Sequence, residues 1–242
     1  MAEPLRIAMW SGPRNLSTAM MRSFENRADC TVWDEPFYAA YLTATGIDHP
    51  LRAEVLAAGI SDPALVAAEC LGPPPADVAL YYQKHMTHHM VDGFPLDWLG
   101  ACTNAFLIRE PEAVIGSYQA KREAVTLDDL GFARQRELFE HVADRQGAAP
   151  PVIDADDVRR APEATLRLLC TAIGISFDPA MLAWPPGPRA SDGVWAPHWY
   201  DAVSRSTGFT PPEREPALSE QLRQLAADAR ADYDVLAAFA LR

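Results

Sequence analysis

The strongest constraint on this chain is a run of strand-like segments, each leading into a segment with helical spacing. Leu5-Arg6-Ile7-Ala8-Met9-Trp10 reads as a short buried strand that stops at Ser11-Gly12-Pro13, because a short apolar run bounded by turn residues is what a covered strand needs. From Asn15 to Arg27, Leu16, Ala19, Met20 and Phe24 recur at helical spacing. Thr31-Val32-Trp33, Ala79 to Lys84, Ala105 to Ile108 and Pro151 to Asp154 supply further strands. Helical spacing returns over Glu112–Arg122, Thr126–Arg145, Pro162–Ile173 and Leu218–Leu241. Strands that alternate with helices predict an α/β fold, a three-layer sandwich with a central parallel sheet. Residues 37–75 read as a helical insertion broken at Gly46, Pro50 and Asp62-Pro63. Residues 184–216, with seven prolines, read as a closing segment. The whole of 1–242 is expected to form a single domain.

Composition narrows the function. The chain has 242 residues, 49% of them hydrophobic and 22% charged, enough to bury a core without disulfides or metal. Cys30, Cys70, Cys102 and Cys170 are scattered, with no CxxC pair, which argues against a zinc ribbon and for reduced thiols. The formal charge is −12. No cation excess exists to displace phosphate counterions, so nucleic acid is not an expected partner. No run approaches the length of a membrane helix and the N-terminus has no basic n-region, so a cytoplasmic protein without membrane contact is expected. The sequence leaves a homodimer open. An anionic ligand would have to be held by a few concentrated positive groups.

Open parallel sheets bind ligands beyond the carboxyl ends of their strands. There the first strand turns through Gly12, Pro13, Arg14, Asn15, Leu16, Ser17 and Thr18 into a helix. Helix-start N–H groups, the helix dipole, the Arg14 charge and the Ser17 and Thr18 hydroxyls together suit an anion. Without the lysine and second glycine of GxxxxGK[ST], this is not the common nucleotide loop; an ordinary strand-to-helix turn would also accept Gly-Pro and Ser-Thr. Arg109 ends a later strand and Ser117 follows eight residues on. A planar guanidinium fork and a hydroxyl make a suitable pair for a phosphate.

These segments resemble, in order, those of the sulfotransferases that use 3′-phosphoadenosine 5′-phosphosulfate (PAPS). Residues 11–18 resemble the PRSGTT-type loop that cradles the 5′-phosphosulfate. Arg109-Glu110-Pro111 through Ser117-Tyr118 looks like the RxPxxxxxSY segment that holds the 3′-phosphate. Arg189, Gly193 and Trp195 resemble the RKGxxGDW loop that closes over the nucleotide, and Tyr82-Gln83-Lys84-His85 is similar to the KTH segment that carries the base. The resemblance implies a P-loop-like fold, PAPS as donor, PAP as product, and a small-molecule acceptor. The chain departs from the pattern at Asn15, at Leu16 where the loop has Gly, at Ala19 where cytosolic members carry an adenine-stacking Trp, and at Ala190-Ser191 where they carry Lys-Gly. An altered loop path is the expectation at Leu16.

Sulfuryl transfer needs an in-line acceptor, a base and positive charge on the leaving oxygens. His85 is the first choice for the base and Glu35 the second, with Lys84 neutralising the leaving phosphate. His85, His88 and His89 offer nitrogen ligands, but no further histidine or cysteine cluster completes a site, so no metal is expected. Glu35 would equally suit a helix start. Trp33, Phe37, Tyr38, Tyr41, Trp195, Trp199, Tyr200 and Phe209 are candidates for an acceptor pocket as well as for core. Lys121 and Arg122 are candidates to extend the cationic patch. Two rival readings remain: a nucleotide-binding sensor without catalysis, and a small-molecule kinase with an altered phosphate loop.

Overall fold

A computed structural model describes residues 3–119, 125–212 and 217–242. Five strands, β1 (Leu5–Ser11), β2 (Cys30–Asp34), β3 (Leu80–Met86), β4 (Thr103–Ile108) and β5 (Val152–Asp154), form one sheet in the order β2-β3-β1-β4-β5. Every pairing is parallel, with Trp10 opposite His85 on one side and Phe106 on the other. All five strands therefore release their carboxyl ends along one edge.

Strand alternation sorts the core into two layers. Ile7 and Met9 face a layer with Met20, Phe24, Tyr82, Leu107, Leu166 and Leu169. Ala8 and Trp10 face the other, with Phe106, Val114, Leu138, Val142 and Tyr233. Helices α1 (Ser17–Glu25) and α9 (Pro162–Ala172) cover the first face; α5 (Pro111–Gln119), α7 (Phe132–Gln146) and α12 (Glu220–Ala237) cover the second. Each fully buried large apolar side chain contributes about 1.5–3 kcal/mol relative to exposure.

The insertion holds α2 (Tyr38–Thr45), α3 (Arg52–Ala58) and α4 (Pro63–Cys70). The helix expected over 126–145 is broken: α6 (Leu127–Leu130) ends at Gly131, whose φ of 70° is left-handed, and α7 restarts after it. A helix over 162–173 was expected alone, yet α8 (Ala155–Arg160) precedes it directly from β5. The closing segment is not purely irregular, because it carries α10 (Ala196–Trp199) and α11 (Asp201–Arg205). Among the described residues no helix is long and apolar enough to cross a membrane.

Candidate active site

The carboxyl edge of the sheet opens into a cavity of about 390 Å³, within the size range of small-molecule sites. Its wall includes Pro13 to Ala19 from the β1–α1 turn, Glu35 after β2, Lys84 and Met86 from β3, and Arg109 after β4. Ser117 from α5 and Arg159 from α8 also line it.

The turn after β1 is held open by its backbone. Leu16, at the cap position of α1, has φ 66° and ψ 7°, and Arg14 has φ 61°. Leucine thus adopts the left-handed conformation that glycine enters freely, at a cost of about 1–2 kcal/mol. The path through Leu16 is one that glycine would also follow. No side chain caps α1 and no acid stands in its first turn, which leaves the positive helix end facing the cavity. Asn15 donates through Nδ2 to the Leu107 carbonyl at 3.2 Å, tying the turn to β4. Gly12 lies beneath the wall: a Cβ there would come within 2.9 Å of the Leu130 carbonyl oxygen. Arg14 Nε donates to Ser117 Oγ at 3.1 Å, and Arg109 Nη1 donates to the Arg14 carbonyl at 2.9 Å. Arg14, Arg109 and Ser117, far apart in the chain, form one cluster.

At the other end Lys84 is fully enclosed. Its Nζ donates to Asp34 Oδ1 at 2.9 Å, to the Tyr200 hydroxyl at 2.6 Å, and to Glu35 Oε1. An ammonium has three protons, and each has a partner here. Burial alone would lower the Lys84 pKa, but Asp34 and Glu35 outweigh it and hold the amine charged. Tyr200 is the hub. Its hydroxyl accepts from Trp195 Nε1 at 3.0 Å and from Lys84, and donates to Asp34. Burial pushes Glu35 above its ordinary value, Lys84 opposes that shift and Asp34 adds to it. The second Glu35 oxygen, Oε2, lies 3.9 Å from His89 Nδ1. His89 is clamped between Tyr38 and Tyr41, with ring centroids 4.6 and 4.8 Å away. The Nδ1 atoms of His88 and His89 are buried without a hydrogen-bond partner. Burial drives both imidazoles to the neutral form, His88 down to about 3.

Several sequence candidates stand elsewhere. His85 does not line the cavity. It stacks on Trp10 at 4.5 Å and packs against Trp98 and Phe37, and burial pushes its pKa down to about 3. The reason is strand alternation: Lys84 and Met86 share the cavity face of β3, and His85 points to the opposite layer. Arg189, Gly193 and Trp195 are likewise absent from the wall. Arg189 lies 4.0 Å from Glu25 and donates to the Pro185 carbonyl. Gly193 N–H donates to Asp34 Oδ2 at 3.2 Å. Trp195 is buried beside Tyr38 and Tyr200. Asp192 anchors this segment to α1 through buried Arg22 at 2.6 Å. The loop braces Asp34 and Tyr200 from behind. Of the aromatic candidates, Tyr38, Trp199, Tyr200 and Phe209 line the cavity, whereas Phe37 and Trp33 belong to the core and its margin. Lys121 and Arg122 lie outside the described residues. Among the described residues, no group of three or more His, Cys, Asp or Glu is arranged to hold a metal ion.

Arg159 was not singled out from the sequence. It sits in a six-residue helix whose Asp156, Asp157, Arg159 and Arg160 look like ordinary solvent-facing charge.

The chain matches the Sulfotransferase domain family over residues 5–239 and belongs to that family. In Arabidopsis thaliana, branched-chain-amino-acid aminotransferase-like protein 1 is 39% identical over 224 residues, covering 89% of this chain and 38% of that protein. Protein 2 of the same name is 37% identical over 210 residues, covering 87% and 37%. The chain thus spans well under half the length of these relatives. A sulfotransferase from Alicyclobacillus acidocaldarius superposes with a TM-score of 0.53 at 15% identity, over 100% of this chain and 98% of that one. The sulfotransferase domain of the curacin biosynthetic pathway gives 0.52 at 15% identity, over 95% and 99%. The fold is the P-loop-like α/β arrangement shared with these sulfotransferases.

Proposed function

We propose that this chain transfers a sulfuryl group from PAPS to a hydroxyl of a small-molecule acceptor, with Glu35 as the base. The observation that carries the reading is the layout of charge along one sheet edge. Glu35 stands after β2 and its partner Lys84 near the carboxyl end of β3, the Arg14 turn after β1, and Arg109 after β4. Such an edge suits an elongated ligand with two anionic centres, one beside a base and one remote from it.

Bound PAPS would supply the sulfuryl group and a phosphate leaving group. The α1 start, Arg14, Ser17 and Thr18 would hold its 5′ end, and Arg109 with Ser117 its 3′-phosphate. Glu35 Oε2 accepts the acceptor's proton, since Oε1 is engaged by Lys84. Protonating Glu35 weakens its attraction for Lys84, so the amine turns a proton toward the charge that develops on the leaving oxygen. Tyr200 and Asp34 keep Lys84 in place while it does so. His85, enclosed in the aromatic layer, takes no part. No metal is required by this scheme. The plant relatives' aminotransferase-like names attach to much longer proteins, and no aminotransferase chemistry is proposed for this chain.

Titration calorimetry with PAP, AMP and magnesium ATP, together with chromatography of PAP released from PAPS in the presence of small alcohols and phenols, tests the reading. PAP should bind at least tenfold tighter than AMP. Magnesium ATP binding in preference to PAP would overturn the assignment in favour of a kinase.

A further inference from the structure

The sequence resemblance assigns the closing loop's Arg189 to the nucleotide, yet its charge is turned toward Glu25 and away from the cavity. Arg159 enters the cavity from the far end of the same sheet edge, on α8 directly after β5. Its Nε and Nη1 atoms are buried and have no hydrogen-bond partner. Leaving buried guanidinium nitrogens unmatched is costly, and a ligand oxygen would remove that cost. Its neighbour along the edge is Arg109, at the end of β4, the strand that pairs with β5. Arg109 Nε stands 4.0 Å from Asp156 Oδ1, one helical turn before Arg159. The Asp156 carboxylate offsets part of the Arg109 charge, so Arg109 alone would meet a phosphate dianion with less than a full positive charge. A second guanidinium beside it corrects that deficit.

We infer that Arg159, in place of Arg189, is the second cation for the donor's remote phosphate, which it grips together with Arg109. The inference rests on the PAPS reading above. It makes the β4–β5 end of the cavity a two-arginine seat for a terminal phosphate, and it makes the protein selective for a 3′-phosphorylated adenosine nucleotide over its unphosphorylated counterpart.

Calorimetry with PAP and AMP on wild type, Arg159→Gln, Arg159→Lys and Arg189→Gln tests it, with thermal melting of each variant as the folding control. Loss of one charge-assisted contact predicts a roughly ten- to hundredfold weaker PAP affinity for Arg159→Gln. AMP affinity should change little, and Arg159→Lys should fall between, because an ammonium keeps the charge without the fork. Arg189→Gln should leave the PAP-to-AMP ratio at its wild-type value. A ratio that survives Arg159→Gln, or that collapses in Arg189→Gln instead, overturns the inference while leaving the donor reading intact. A wild type that does not prefer PAP to AMP overturns the donor reading itself.

Discussion

Glu35 commits one carboxylate oxygen to Lys84 and turns the other toward His89, whose Nδ1 stands 3.9 Å away. In the proposed mechanism the two oxygens would have separate tasks: one holding the cation that steadies the leaving group, the other taking the proton of the acceptor hydroxyl.

Replacing Glu35 by Gln keeps the shape and removes the base. Turnover should fall by roughly 10²–10⁴ while PAP affinity stays within a few-fold of wild type. Because burial raises the Glu35 carboxyl, the acid limb of the kcat profile should lie above the ordinary value of 4.5 and vanish in Glu35→Gln. A normal acid limb in that variant would assign it to another group. His85→Ala should do the reverse, cutting stability by opening a hole beside Trp10 while leaving kcat at low temperature near wild type.

The buried histidines predict acid sensitivity. Burial pushes His85 and His88 down to about 3 and His89 well below the ordinary 6.5. As pH falls, the unfolded chain takes up protons that the folded chain refuses. Stability that is complete above 6.5 is thus lost progressively between about 6.5 and 3, at about 1.4 kcal/mol per pH unit for each histidine. Glu35 has the opposite sign, its contribution being complete below 4.5 and declining as pH rises through its raised folded value. Over pH 6 to 5 the histidines outnumber it. Urea midpoints should drop steeply across that interval; a flat profile would contradict the burial of these rings.

Arg22 is 1% exposed and its partner Asp192 is 5% exposed. Arg22→Met would leave a buried carboxylate unpaired and should cost about 3–5 kcal/mol in urea unfolding. The PAP-to-AMP ratio should not move in protein that remains folded, because the loop from Arg189 to Trp195 that this pair anchors supplies no residue to the cavity wall and reaches the site through Asp34 and Tyr200. A changed ratio would return that segment to the nucleotide.

Arg14 and Ser117 are directly bonded across 3.1 Å. Their alanine variants should therefore be non-additive in PAP affinity, with a coupling of about 0.5 kcal/mol or more in a double-mutant cycle. Strict additivity would mean that the two side chains meet different parts of the ligand.

The five strands and the turn after β1 were legible because apolar runs and turn residues are local signals. The acid and the lysine were legible for the same reason, each falling at a strand's carboxyl end. His85 lies off the cavity, and the signal for that placement is present in the sequence: in KTH the lysine and the histidine are two residues apart, on one strand face, and two residues after Lys84 comes Met86. Arg189 matched its motif, but its pairing with Glu25 joins residues on distant segments, which no local pattern reveals. Arg159 was hidden because its six-residue helix offers only Ala155 and Val158 as an apolar face, too short a pattern to separate a helix from a loop in the sequence. The break at Gly131 depends on a positive φ that a helical pattern alone does not require.

Arg14, Leu16 and Glu35 share the left-handed backbone with only Leu51 among the described non-glycine residues, and all three line the cavity. Each such residue holds about 1–3 kcal/mol of strain, so the walls of the site carry three of the four strained non-glycine positions among the described residues. Glycine would relax any of them but would erase the guanidinium, the apolar anchor or the carboxylate. A β-branched residue would add further crowding. The cavity rim is therefore a narrow region of sequence space, in which a search for thermostability and a search for activity pull the same three positions in opposite directions.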